Sequence, residues 1–214
     1  MDFIVAGFIE AIRLLFGGDA QTWSAVSATL KASTGSMVAS LLLGIPLGFL
    51  LGYFEFPVKR QARLVVDTAM ALPTVFIGLV VYAFISTRGP LGEWGLLFTL
   101  RGIALGQTLL ALPVVIALSA TSVESMDRHL RTLLISLGAS RRQLLISSLW
   151  EVRYGVLAAG LAAYGRVMTE VGISMMVGGN IKWHTRTITT AIALETGKGQ
   201  FATGIALGLV LMAL

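Results

Sequence analysis

Ser40-Leu41-Leu42-Leu43-Gly44-Ile45-Pro46-Leu47-Gly48-Phe49-Leu50-Leu51-Gly52-Tyr53-Phe54 carries no charge, and its glycines recur every fourth residue. That period places Gly44, Gly48 and Gly52 on one face of an α-helix. Extended back to Val26, the stretch exceeds the about 20 residues a helix needs to cross a bilayer core. Small residues at this spacing let two helix backbones approach where lipid supplies no hydrophobic drive to associate. The stretch is therefore read as a membrane span whose glycine face packs tightly, inside one subunit or across a dimer, rather than as a ligand site. Gly204 and Gly208 repeat the device near the end of the chain.

The remainder of the chain agrees. Of its 214 residues, 56% are hydrophobic and 13% charged, and the mean hydropathy is +0.84. A soluble domain carries about 25% charged residues, so too little polar surface remains to wrap a globule in water. Further apolar runs extend from Leu64 to Ile85, from Ile103 to Thr121 and from Gly155 to Val177. A last run, Phe201 to Leu214, is short; either the sequence is cut mid-helix, which is the expectation here, or the helix borrows residues from Ile188–Glu195. Pro46, Pro73 and Pro113 sit inside or at the edge of the first three spans, where a proline frees a carbonyl and can kink the helix.

The stretch Phe3 to Phe16 is apolar but holds Glu10 and Arg13, with no basic leader before it and no small-residue cleavage pattern after it. Too short to span, it reads as an interfacial helix that stops at Gly17-Gly18-Asp19. The predicted fold is all-α: a polytopic transmembrane helical bundle of about five spans, with residues 1–22 as an N-terminal interfacial segment and 23–214 as the membrane domain.

The chain has no cysteine, which removes disulfides, thiolate metal sites and cysteine nucleophiles. His129 and His184 are far apart and without partners, so no metal site is expected. The net charge of +5 forms no basic stripe on a soluble face, so nucleic acid is not expected as a partner. Its placement does set an orientation. Lys59, Arg60 and Arg63 follow the first span, and Arg128, Arg131, Arg141, Arg142 and Arg153 lie between the third and fourth, so both segments are assigned to the cytoplasm. Arg88, Arg101, Lys182, Arg186 and Lys198 then fall on the other side, and the N-terminus lies outside.

The informative stretch is the cytoplasmic segment at about 124–150. Asp127-Arg128-His129-Leu130-Arg131-Thr132-Leu133-Leu134-Ile135-Ser136 reads as a short amphipathic helix. Leu137-Gly138-Ala139-Ser140 breaks it, and Arg141-Arg142-Gln143-Leu144-Leu145 opens a second helix. An element of this kind lies along the membrane surface and presents an apolar stripe to the cytoplasm, or simply re-enters the membrane.

On these residues the chain resembles the permease subunits of ATP-binding-cassette importers, whose cytoplasmic signature has Glu-Ala-Ala followed by a glycine. Leu137-Gly138-Ala139-Ser140 matches the glycine core, while Thr132-Leu133-Leu134 stands where Glu-Ala-Ala is usual and Trp150-Glu151 where Leu-Pro often follows. Trp150 to Ala159, Tyr164 to Gly172, Met176-Val177-Gly178-Gly179-Asn180-Ile181 and Thr189 to Thr196 look like the tungstate-specific branch of that family. Leu72-Pro73 and Gly89-Pro90-Leu91-Gly92 fit the same branch.

The resemblance implies a type I importer fold in the cytoplasmic (inner) membrane. It implies two copies of this permease and two separate ATPase subunits, which would hold the ATP and Mg, with an extracytoplasmic oxyanion-binding protein delivering the substrate. Leu137, Gly138, Ala139, Ser140, Arg141 and Arg142 would couple to the ATPase. The chain has no Gly-x-x-x-x-Gly-Lys-Ser/Thr phosphate loop, so it is not expected to be an enzyme and holds no cofactor of its own.

Arg166 and Glu170 lie one helical turn apart within the fourth span. Ionisable residues at membrane depth face the bundle interior or a cavity, so the pair is a candidate for the gate or dimer interface, or a structural ion pair. Asn180, Thr185 and Arg186 follow that span, with Lys182 and His184, and offer an amide, a hydroxyl and basic groups to an oxyanion. A solvated loop or a docking surface would explain them too. Arg141 and Arg142 would meet an acidic rim on the ATPase or anchor the segment to anionic lipid.

Rival functions keep the machinery and change the cargo to molybdate or sulfate, or dispense with the ATPase. A secondary transporter of the latter kind often shows inverted repeats, and none is evident between the halves. A membrane enzyme would need a clustered nucleophile, metal ligands or an acid–base pair facing a cavity.

Overall fold

The computed structural model describes residues 2–214, and of residues 2–4, 11, 14–16, 128, 130 and 131 the backbone alone. Among the described residues the chain is helical, with no strand. The elements are α1 (Asp2–Phe16), α2 (Ala20–Tyr53), α3 (Lys59–Met70), α4 (Thr74–Ile85), α5 (Leu100–Glu124), α6 (Arg128–Ser136), α7 (Arg141–Glu151), α8 (Arg153–Met168), α9 (Gly172–Gly178), α10 (Ile188–Gly197) and α11 (Phe201–Met212). A 3-10 turn at Gly92–Trp94 stands between α4 and α5.

The all-α bundle stands as expected; what changes is the continuity of its spans. Two helices, α2 and α5, are long and apolar enough to cross a membrane unbroken. α2 begins at Ala20 rather than Val26 because Asp19 caps it. Its Oδ2 accepts hydrogen bonds from the Thr22 N–H at 2.7 Å and the Thr22 hydroxyl at 2.6 Å. The second expected span is two helices, since α3 ends at Met70 and Pro73 stands at the N-cap of α4. Proline lacks the donor that would continue a helix and pushes the residue before it out of the helical region.

The fourth span is broken as well. α8 ends at Met168, and α9 starts at Gly172 after Glu170 has taken up the N–H of Ile173. The last apolar stretch divides into α10 and α11 around Gly199, whose φ of +79° is left-handed.

Contacts divide the chain into two compact units. The first comprises Met1–Ser36, Pro73–Gln107 and Arg166–Leu214. Its core joins Ala25 and Val26 of α2 to Ile188 and Ala191 of α10 and to Leu207 and Val210 of α11. α1 packs along α11, with Gly7 so close that a methyl there would lie 2.7 Å from Ile205 Cγ2. α4 packs on α9, where a methyl on Gly78 would come within 3.2 Å of the Ile173 Cα.

The second unit comprises Met37–Leu72 and Thr108–Gly165. Here the glycine face of α2 meets α5 as its spacing predicts. A methyl on Gly44 would sit 2.8 Å from Val115 Cγ1, one on Gly48 2.7 Å from the Ile116 carbonyl oxygen, and one on Gly52 2.6 Å from that of Ala120. In the first unit Gly204 also packs closely, its added methyl falling 2.8 Å from Thr196 Oγ1, whereas Gly208 has nothing within 4 Å among the described residues. Phe49, Val123 and Val152 form a small core with Met126 and Leu145, tying α2, α5 and α7 together. α7 and α8 meet at Val152 with a bend of 52°.

Candidate functional site

The α6–α7 segment is an elbow fixed by local chemistry. Asp127 caps α6, its Oδ1 accepting from the His129 N–H at 2.8 Å. The helix ends in a Schellman turn: the Gly138 N–H donates to the Ile135 carbonyl and the Ala139 N–H to the Leu134 carbonyl, both at 3.0 Å. That turn demands a left-handed residue, and Gly138 supplies it at φ +77°. Two residues on, Ser140 opens α7 with a capping box. Its N–H donates to Gln143 Oε1 at 2.8 Å, and its Oγ accepts from the Gln143 N–H at 3.4 Å.

The result is a short helix with an outward apolar tip: Leu133 is 60% and Leu137 82% exposed. Arg141 and Arg142 stand exposed in the first turn of α7. Cations at a helix N-terminus oppose its macrodipole, so helix stability does not account for them. Arg128 and Arg131, two more of the basic residues assigned to this segment, lie outside the described side chains.

Arg166 and Glu170 have different surroundings. Because α8 stops at Met168, the one-turn spacing does not carry from one to the other. Arg166 is exposed on α8, on the face that also presents Tyr154, Leu157, Ala158, Leu161 and Ala162. Glu170 is buried. Its Oε1 accepts from the Ile173 N–H at 2.9 Å, and its carbonyl accepts from the Thr189 hydroxyl at 2.9 Å.

Asn180, Thr185 and Arg186 come together in a loop held by its own bonds. The Thr185 hydroxyl, fully buried, donates to the Gly178 carbonyl and accepts from the Ile181 N–H at 3.1 Å. Arg186 Nε donates to Asn180 Oδ1 at 3.0 Å. The Ile181 carbonyl gathers the N–H groups of His184, Thr185 and Arg186, at 3.1, 3.0 and 3.0 Å. Asn180 and Trp183 take left-handed backbone at φ +50° and +67° to close the turn.

Sequence reasoning missed what surrounds this loop. A cleft of about 420 Å³ in the first unit is lined by Asp19, Thr22, Lys182, Arg186, Glu195 and Lys198, among others. Glu195 is paired with Lys198 at 2.9 Å. The Thr22 hydroxyl holds the Asp19 carboxyl below the usual carboxylate range; burial opposes the shift, and backbone N–H groups and the nearby Lys182 charge add to it. The cleft places Asp19, ahead of α2, on the same end of the unit as Lys182, Arg186 and Lys198. Also missed were buried polar atoms with no hydrogen-bond partner among the described residues, including the Ser33 and Ser174 hydroxyls and Gln107 Oε1. Nothing in the sequence distinguishes these side chains from others on apolar helices.

Bent apolar helices and an exposed, glycine-broken elbow are the features of a membrane component. The profile of the family described as binding-protein-dependent transport system inner membrane component matches residues 44–214. The chain belongs to this family. It is 51% identical over 212 residues to the tungstate uptake system permease protein TupB of Campylobacter jejuni, covering 99% of this chain and 89% of that one. It is 41% identical over 196 residues to a probable anion ABC transporter permease protein of Haloferax volcanii, covering 89% and 84%. With the TupB of Peptoclostridium acidaminophilum it shares 34% over 212 residues, covering 99% and 93%.

Proposed function

We propose that the chain is the permease subunit of a tungstate importer driven by a separate ATPase that carries the ATP and Mg. The observation that carries this is the elbow. Leu133 and Leu137 project from a helix whose two ends are fixed by hydrogen bonds, and such an apolar tip suits a groove on a partner. Leu137, Gly138, Ala139 and Ser140 form the coupling element, and Arg141 and Arg142 meet acidic groups at its rim. Tungstate as cargo is supported by the 51%-identical relative, which is named for it. An extracytoplasmic oxyanion-binding protein supplies the substrate, and the N-terminus lies outside.

Arg166 supports a working homodimer. The face of α8 on which it is exposed also offers Ala158, Ala162 and Gly165. A cation at membrane depth is costly against hydrocarbon, and small residues allow close helix approach. We assign that face to the second copy of the chain and to the pathway between the copies. Glu170, Asn180 and Thr185 shape the pathway by fixing backbone, and Arg186 lines the outer cleft.

The test is copurification with the candidate ATPase, comparing wild type with Gly138→Pro. Proline cannot adopt φ +77°, so the variant is expected to lose the ATPase while the bundle still folds. If both retain it equally, the elbow is not the docking element; if neither holds it, the importer assignment fails. Uptake of tungstate by the assembled complex, with molybdate and sulfate as competitors, then tests the cargo.

A further inference from the structure

A charged clasp joins α3 to the end of α5, beside the stretch that leads into the elbow. Arg63 Nη2 donates to Thr121 Oγ1 at 2.7 Å, its Nη1 lies 3.4 Å from Glu124 Oε2, and its Nε lies 3.3 Å from Asp67 Oδ2. Lys59 Nζ reaches Glu55 Oε1 at 2.9 Å and Glu124 Oε1 at 3.8 Å, and donates to the Gly52 carbonyl at 3.4 Å. Glu124 thus receives both cations of one helix face. Ala62 and Val66, on that same face, pack against Leu51, Ile116 and Ala120.

Helix stability does not explain the carboxylate. Glu124 is the last residue of α5, where the carbonyl ends of the helix disfavour negative charge. A single exposed ion pair contributes little. Lys59 and Arg63, however, are only 18% and 27% exposed and converge on one acceptor. The neighbours of Glu124 face elsewhere: Val123 and Met126 pack with Leu145 and Val152 of α7 and its junction with α8. Asp127, three residues on, caps α6. One turn of chain therefore holds α7 by apolar contact and α3 by charge.

Building on the proposed importer function, we propose that Glu124 is a positioning residue that ties α3 to the α6–α7 segment. When the ATPase displaces that segment, the clasp carries α3 with it, and α3 continues through Leu72-Pro73 into α4. Without the clasp the segment still docks, but its movement is passed on less completely.

The experiment uses the whole transporter in proteoliposomes and measures tungstate accumulated per ATP hydrolysed, with ATPase copurification in parallel. Glu124→Gln is expected to keep the ATPase bound and hydrolysing while transport per ATP falls about fivefold, a low-end coupling effect. Glu124→Asp, which keeps a carboxylate for Lys59 and Arg63, is expected to retain most of the ratio, which a requirement for the side chain's bulk alone would not predict. An unchanged ratio in Glu124→Gln, or a loss in Glu124→Asp as large as in Glu124→Gln, overturns the proposal. Should Glu124→Gln fail to assemble, Arg63→Gln reads the same contact from α3, and an undiminished ratio there overturns it too. Loss of the ATPase from wild type would instead remove the importer function on which the proposal stands.

Discussion

The two halves of α2 hold their neighbours by opposite means. In the second unit the helix presents Gly44, Gly48 and Gly52, and the contact with α5 rests chiefly on close approach, with the small side chains of Ser40 and Ser119 buried along the seam. In the first unit it presents Thr29, whose hydroxyl accepts the Ile188 N–H at 2.9 Å while donating to the Ala25 carbonyl at 2.8 Å. Around it the buried polar groups multiply: Thr187 and Thr190 cap α10, and Thr189 bonds the Glu170 carbonyl. Lipid removes the hydrophobic drive between helices, and either close packing or hydrogen bonding can replace it. Close packing tolerates no added atom. Hydrogen bonding tolerates atoms but not the loss of an acceptor.

The sharpest way to break the contrast is steric. Gly48→Leu places a branched side chain where even a methyl meets the Ile116 carbonyl oxygen and Ser119 Cβ at 2.7 Å. Folded protein is expected to be lost. Gly48→Ala should cost about 1–3 kcal/mol, the usual scale of overpacking, seen as a lower Tm in detergent. Gly208→Ala is the control: with nothing within 4 Å among the described residues, it should be neutral or slightly stabilising. Equal effects at Gly48 and Gly208 would mean that the seam is looser than its distances imply.

On the polar side the effects should be smaller. Glu170→Ala leaves the Ile173 N–H buried without its acceptor, a loss of about 1–3 kcal/mol. Glu170→Gln keeps an oxygen in place and should cost much less, so the two variants separate the hydrogen bond from the charge. Thr29→Val removes the acceptor of Ile188 and should cost about 0.6–1.7 kcal/mol, the range of interhelical bonds in membranes. If Glu170→Gln is as damaging as Glu170→Ala, the charge itself matters and Glu170 does more than fix backbone.

What the sequence made legible follows the same division. The glycine seam could be read because a missing side chain at a period of four is visible in the letters. So could the elbow, since the break at Gly138 is a local signal that acts within a few residues, although the Ser140–Gln143 capping box beside it was not read. Glu170 was misread as one turn from Arg166 on a continuous helix, because hydropathy does not show where a carboxylate captures an N–H and ends the run. Arg63 and Glu124 were out of reach for another reason. They are separated by 61 residues, and each alone looks like a solvated charge at a span end. The contact between them also places the segments after α2 and after α5 on the same end of the second unit, as the distribution of lysine and arginine suggested.

The smallest expected effect lies at the N-terminal end of the polar half, where Asp19 caps α2. Its carboxyl is held below the ordinary range chiefly by the Thr22 hydroxyl. A group whose folded pKa is depressed contributes stability above its unfolded value, about 3.9, and loses it as pH falls through the folded one. Wild type should therefore weaken on acidification below about pH 4 by an increment that Asp19→Asn lacks. Asn still accepts a hydrogen bond at the cap, so at neutral pH the variant should differ little. Asp19→Ala should lose about 0.5–2 kcal/mol at any pH where Asp19 is ionised. Thermal unfolding of the three proteins between pH 3 and 7 checks this. Parallel curves for wild type and Asp19→Asn would show that the cap acts through its geometry alone and that its charge, despite Lys182 nearby, adds nothing.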